Sequence, residues 1–504
     1  MGYVMRKKLL SILSLILSFS LVVIFCGCKP YKEVEKASKG LSEYNISMKH
    51  NASDMSFDVF QETLFKNEYD VVLNTICFNV YAKAFEETAK ILPYTAVNKD
   101  KCFPNGVNYG KISFSEILVN GNSANYKWVG EDQNAIELKL DSELEPEASV
   151  KVQMKYNLKL SNNTHRLGYF DGAINLGNFY PILAVYEKGE YQIEPYYSTG
   201  DPFYSKVANY NVEIVYPEEY QLSSSGYVLN QSQENGFKTE KIEALAIRDF
   251  ALNLTKNANL LSQKVDDTEI RYVGYQGDEN IEQCLNVAVE AFKFYNQKFG
   301  KYPYRTLNVV KTPFIHGGME YPCMVTISDL YTDEFDIAKV ISHEIAHQWW
   351  YGVVGNNQVS EAWLDEALTE YSSVLFIASK KEYNVSYEEL ISQAFSSYVL
   401  YADIIDTISG KIKPQMNLRV NEYTSEYEYS YMVYVKGVLM LDSISQLIGQ
   451  DKVIESLSYY YKKYKFKVAK TDDLIACFIN KSKRDVGGVF DSWLDGKTVI
   501  GSIN

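Results

Sequence analysis

Residues 340–371 read VISHEIAHQWWYGVVGNNQVSEAWLDEALTEY and hold two of the chain's five histidines within five positions. If the segment from Asp336 onward is a helix, His343 and His347 sit four residues apart, about 40° offset around the axis, with both imidazoles on one face. Two neutral imidazoles at that spacing can share one tetrahedral metal ion. Glu344 between them projects close by in a different direction, as a general base for an attacking water must. H-E-x-x-H is the pattern for this chemistry. The bare five residues also arise by chance, and paired histidines also occur as satisfied core or surface residues. A catalytic metal site needs a third protein ligand and an open position. EAWLDEALTEY reads as a second helix and offers Glu366, nineteen residues beyond His347.

H-E-x-x-H, eighteen residues, then Glu resembles the aminopeptidase N family of gluzincin zinc peptidases. The family's third-ligand helix reads W-L-N-E-G-F-A-x-Y. In WLDEALTEY, Trp363, Leu364, Glu366 and Tyr371 keep that pattern, while Asp365, Ala367 and Leu368 depart from it without removing a ligand. The resemblance implies one Zn2+ per chain on His343, His347 and Glu366, with Glu344 as the base. HGGMEYP resembles the G-A-M-E-N signature, so Gly317, Gly318, Met319 and Glu320 are expected along the edge of the cleft, with Glu320 holding the substrate's free α-ammonium. Tyr321 stands where the family has Asn, which bears on the shape of the first subsite. The family's catalytic tyrosine precedes x-Lys-Gly, which selects Tyr434 in YVKG among the tyrosines of EYEYSYMVYVKG. A phenol there would stabilise the oxyanion of peptide hydrolysis. Glu370, one turn after Glu366, either accepts the second ring N–H of a ligating histidine or is a solvated helix charge; the sequence leaves both open. His316 and Cys323 are read as structural, since the ligand set is already complete.

These residues need elements to position them. KVQMKYNLKL alternates, with Val152, Met154, Tyr156, Leu158 and Leu160 on one side, as a half-buried strand does. AIELKL and YNVEIVYP repeat the pattern, so residues 55–255 are expected to form a β-rich domain. From about residue 278, Ile281, Cys284, Leu285, Ala288, Phe292 and Tyr295 recur at helical spacing. TLNVVKT and CMVTIS read as short strands, and helical periodicity dominates from Asp336. NFYPILAVY, GDPFYSKVANYNVEIVYP, RDFALNL and KFGKYPY extend the resemblance over most of residues 55–500. It implies an α+β multidomain fold: a β-sandwich or saddle-like N-terminal domain, then a mainly helical, thermolysin-like peptidase domain over residues 256–504. The family's long C-terminal helical domain has no counterpart here, which implies a more open cleft.

The 504 residues carry a formal charge of −14 and 46% hydrophobic residues. Such a chain buries a large core, and with no long Lys/Arg run it excludes a nucleic-acid partner. Residues 1–28 have a secretion signal's layout, with Arg6, Lys7 and Lys8 before an apolar stretch from Leu9 to Phe25. IFCGC resembles the lipobox of bacterial lipoproteins, which would place lipid on Cys28. The expected location is then extracytoplasmic, held at the cell membrane by that lipid, with residues 29–54 as a polar tether. An uncleaved membrane anchor is the alternative. Cys77, Cys102, Cys284, Cys323 and Cys477 lack metal-type spacing and read as buried thiols, although a Cys77–Cys102 bridge stays open. The function expected is a zinc-dependent aminopeptidase acting on peptides with a free N-terminus. The rivals are an endopeptidase on the same zinc site and a non-catalytic peptide-binding lipoprotein.

Overall fold

The computed structural model describes residues 29–410, 412–498 and 500. The signal segment and Cys28 lie outside the described residues.

The N-terminal part is built on an eight-stranded sheet. Its strands run in the order Tyr227–Glu234, Phe237–Ile247, Ala208–Pro217, Glu43–Asn51, Ser56–Lys66, Ser149–Lys159, Lys111–Val119 and Asn122–Ser123. Ser149–Lys159 shows the expected period-two burial, with Val152, Met154, Tyr156 and Leu158 inside and the lysines outside. Two four-stranded sheets and a short two-stranded one, Tyr186–Glu187 with Glu190–Tyr191, complete this part, and the buried faces of the four-stranded sheets join the same apolar core.

The polar tether expected at residues 29–54 is instead folded. Lys29–Ala37 is a helix, α1, and Glu43–Asn51 is an interior strand of the eight-stranded sheet. That strand pairs antiparallel with Ser56–Lys66 and parallel with Ala208–Pro217. Val34 of α1 is fully buried, the Tyr31 hydroxyl donates to Glu243, and the Arg305 guanidinium lies 3.4 Å from the centre of the Tyr31 ring. The few apolar groups of this polar stretch all find partners remote in sequence. Burying one such side chain contributes about 1.5–3 kcal/mol.

Sheet membership changes between Leu252–Lys256, in a four-stranded sheet, and Ala258–Val265, which opens a five-stranded one. Its order is Ala258–Val265, Thr268–Tyr275, Thr306–Thr312, Met324–Ser328 and Gly318–Met319, with the last strand an antiparallel edge. The helices that follow include α2 (Ile281–Lys298), α3 (Glu334–Ala346), α4 (Trp363–Ala378), α5 (Tyr387–Ser409) and α6 (Lys436–Ile448). The six apolar residues expected to line one face of α2 are all buried. Contacts run from α2 to α3, from α3 to α4 and from α4 to α6, so the helices that carry the chemistry pack in sequence.

The two parts are joined by a buried arginine. Arg248, 1% exposed, donates through Nε to the Tyr351 carbonyl, through Nη1 to Ser205 and through Nη2 to Lys467. Tyr351 holds a left-handed turn at φ 112°, so this bond fixes the bend between α3 and α4. A Cβ on Gly355 would fall about 2.0 Å from the same guanidinium, leaving room only for glycine.

Candidate active site

Asp333 caps α3, its carboxylate accepting from the Phe335 and Asp336 amides. The helix ends at Ala346, so His343 lies in its last turn and His347 at its C-cap. The negative end of the helix dipole therefore points where a cation would sit. Glu366 lies in the first turn of α4, where the opposite end of a dipole favours a carboxylate.

The three donor atoms form a nearly equilateral triangle. His343 Nε2 and His347 Nε2 are 3.2 Å apart, and Glu366 Oε2 is 3.1 Å from His347 and 3.4 Å from His343. A tetrahedral ion with bonds of 2.0–2.1 Å has ligand–ligand edges of about 3.3–3.4 Å. The triangle thus has the size of one tetrahedral face. The other ring nitrogens are committed elsewhere: His343 Nδ1 donates to Glu370 Oε2 at 2.7 Å, and His347 Nδ1 to the Trp350 carbonyl at 3.0 Å. Both lone pairs on Nε2 therefore face the common point. Glu370 takes the first of its two sequence readings.

Electrostatics agree with a shared cation. Burial lowers the His343 pKa, but its hydrogen bonds to Glu366 and Glu370 outweigh that and raise it to about 10. Burial also opposes the charge on Glu366, yet the two imidazoles hold its carboxyl below the usual range. Without an ion, protons must occupy the site that a divalent cation would take.

Glu344 is 6% exposed, and its Oε2 has no hydrogen-bond partner among the described residues. Burial lifts its carboxyl to about 8, against the pull of His343 and His347. Gly318 packs on this side chain: a Cβ there would lie 2.3 Å from Glu344 Oε1. Gly317 is less crowded, with the Tyr331 hydroxyl 3.2 Å from its Cβ position. Gly318 and Met319 form the edge strand, which delivers Glu320 to the cleft, 3% exposed.

Tyr434 sits in a π-helical turn, Tyr431–Val435, that leads into α6. Its hydroxyl donates to Glu366 Oε1 at 2.5 Å, and its ring stacks on His343 with centroids 5.7 Å apart. Burial, then the Glu366 charge, pushes the phenol well above its ordinary pKa, so it remains a donor. The close approach of α6 to α4 needs Gly437, whose Cβ would lie 2.5 Å from that of Ala367.

His343, His347, Glu366, Glu370, Glu344, Gly317, Gly318, Glu320 and Tyr434 line one cleft of about 380 Å³, together with His316, Arg166, Asp201 and Glu426, and Met319 lies outside it. Arg166 and Asp201 come from the N-terminal part, pair with each other and are nearly buried; no local spacing in the sequence marks them. His316 faces His165, their Nε2 atoms 3.3 Å apart. Cys323 lies outside the cleft, its backbone N–H donating to Gln348, and the five described cysteines are free and buried. Tyr321 is buried against Gly177.

Residues 283–493 match the family model for the peptidase family M1 domain. The chain is 28% identical to aminopeptidase 2 of Candida albicans over 237 residues, covering 44% of this chain and 25% of that one. It is 29% identical to human aminopeptidase B over 265 residues, covering 47% and 39%. These matches span about a quarter to two-fifths of the relatives' own length. Among solved structures, an M1 zinc metallopeptidase from Deinococcus radiodurans superposes with a TM-score of 0.62 at 16% identity, over 91% of this chain and 93% of that one. A two domain M1 zinc metallopeptidase bound to L-arginine gives 0.66 at 14%, over 91% and 94%. Residues 283–493 thus match the peptidase family M1 domain model, and the chain shares its two-domain fold with solved M1 zinc metallopeptidases.

Proposed function

We propose that the chain is a zinc-dependent aminopeptidase that removes N-terminal residues from peptides. The observation that carries this reading is the placement of Glu320 in the same cleft as the His343, His347 and Glu366 triangle. Those three residues would hold the ion, and their donor set of two imidazoles and a carboxylate suits zinc. A zinc ion held there would supply Lewis acidity toward a bound water and the scissile carbonyl.

The chain's own groups do the rest. Glu344 takes the proton of the attacking water and passes it to the leaving amine. Tyr434 donates to the oxyanion, for which it must release Glu366. Glu320 receives the ammonium group of the substrate, and this contact registers the first peptide bond at the site. Glu370 and the Trp350 carbonyl keep both histidines in the ligating tautomer.

The test is turnover of short peptides with free and with acetylated N-termini, with and without a zinc chelator. Chelator-sensitive cleavage confined to free amines is expected. Equal cleavage of both makes the protein an endopeptidase, and no cleavage by the zinc-loaded protein makes it a binding protein.

The second part of the proposal concerns location. We infer lipidation at Cys28 and an extracytoplasmic position at the membrane, supported by the basic start, the apolar stretch and the cysteine that follows. Replacing Cys28 with Ser should move the protein from the membrane fraction to the soluble one; unchanged fractionation refutes it.

A further inference from the structure

We propose that Gln358 is a positioning residue that holds the Glu320 carboxylate in the orientation that receives a substrate's free amine. This rests on the aminopeptidase reading above.

Gln358 lies in the loop between α3 and α4 and is 1% exposed. Its Nε2 donates to Glu320 Oε1 at 2.7 Å and to Asp365 Oδ2 at 2.8 Å. The other oxygen of Asp365 accepts from Asn356 Nδ2 at 2.8 Å. Asp365 itself is anchored on α4, next to Glu366. A chain of contacts therefore runs from the substrate-anchoring carboxylate to the helix that carries the third ligand.

The main chain at Glu320 is held separately. Gln348 Nε2 donates to the Glu320 and Tyr321 carbonyls, and its Oε1 accepts from the Cys323 amide. Two glutamines thus divide the work: Gln348 fixes the backbone beyond the edge strand, and Gln358 fixes the carboxylate. The terminal torsion of a glutamate is broad and two-fold, so the backbone alone does not set the carboxylate plane. The Gln358 bond does, because it occupies Oε1 and leaves Oε2 for the ammonium.

The orientation of the amide follows from its partners. Both are carboxylates, so nitrogen must face them. Gln358 Oε1 then has no partner among the described residues. The two N–H groups of one nitrogen, one to each carboxyl, sustain that arrangement. Without the amide, nothing bridges Glu320 to Asp365, and the Glu320 carboxylate loses the contact that sets its plane.

The experiment is a double-mutant cycle of Gln358→Leu and Glu320→Ala on the full chain loaded with zinc. Calorimetry measures binding of L-leucinamide and of N-acetyl-L-leucinamide, and turnover of a leucyl reporter gives kcat and KM. We expect Gln358→Leu to weaken L-leucinamide and raise KM by about tenfold, the range of coupling between contacting residues. It should leave kcat within about threefold and N-acetyl-L-leucinamide binding unchanged, and it should add nothing in the Glu320→Ala background. An equal loss in that background, a fall in kcat at constant KM, or no change overturns the proposal. Should Gln358→Leu lack a cooperative melt, Gln358→Met carries the same expectations. A wild-type protein that binds both amides equally overturns the aminopeptidase reading itself, and so is told apart from a failure of Gln358 alone.

Discussion

Gly318→Ala tests whether the edge strand sets the position of the general base. The added Cβ would lie 2.3 Å from Glu344 Oε1, 2.4 Å from Cδ and 2.6 Å from Cγ. Ordinary contact begins near 3.4 Å, so the carboxylate must retreat by about 1 Å. Its freedom to do so is limited, since Glu344 leaves α3 between two residues whose rings are tied to Glu370 and Trp350. A displacement of about 1 Å at a reacting group costs about 10²-fold in rate, which is about 2.7 kcal/mol of activation free energy. The ligand triangle does not touch Gly318, so metal content should stay at one ion per chain. The assay is kcat on a free-amine peptide beside zinc content and thermal melting for Gly318→Ala and Gly317→Ala. Gly317 has 3.2 Å of space beneath it, so its variant should lose far less. A kcat for Gly318→Ala within threefold of wild type, at full zinc content, refutes the reasoning.

Glu344→Gln should retain zinc and lose turnover by about 10²–10⁴-fold; metal analysis beside kcat checks this, and retained turnover removes Glu344 from the base role. Glu370→Ala should weaken zinc about 10–100-fold, read by competition with a chelator, because His343 loses the acceptor that fixes its tautomer. Arg248→Met should lower stability by about 2 kcal/mol or more, since two buried carbonyls and one half-buried one lose a donor, at about 1–3 kcal/mol for each buried group; denaturant melts measure it. His50 is buried against Phe57 and Tyr220 with neither ring nitrogen partnered, and burial lowers its pKa to about 4. The unfolded chain binds that proton first, so stability is full above about pH 6.5 and falls as pH drops toward 4. His50→Phe should flatten that part of the profile.

The histidine pair was legible because helix geometry is local. Four residues along a helix put His343 and His347 on one face whatever surrounds them, and the same rule brings Glu370 beneath Glu366. Strand alternation in Ser149–Lys159 and the buried stripe of α2 are local in the same sense. One local signal went unread: Tyr44, Ile46 and Met48 alternate within the stretch assigned to a tether, masked by polar neighbours, and all three are buried. α1 had no such signal, because Val34 and Tyr31 are held by groups hundreds of residues away.

Sequence by itself determined which residues can bind a cation and which carboxylate lies between them, since covalent spacing fixes those relations. Only the tertiary structure decided the rest. It closed the triangle by packing α3 on α4, brought Tyr434 to Glu366 through a π-turn and a glycine contact, and carried Arg166 and Asp201 into the cleft from loops of the N-terminal part. It also set Gln358 between two carboxylates that are distant from each other in the chain. Contacts of that kind depend on how whole elements pack, and packing across tens to hundreds of residues leaves no period in the local sequence to read.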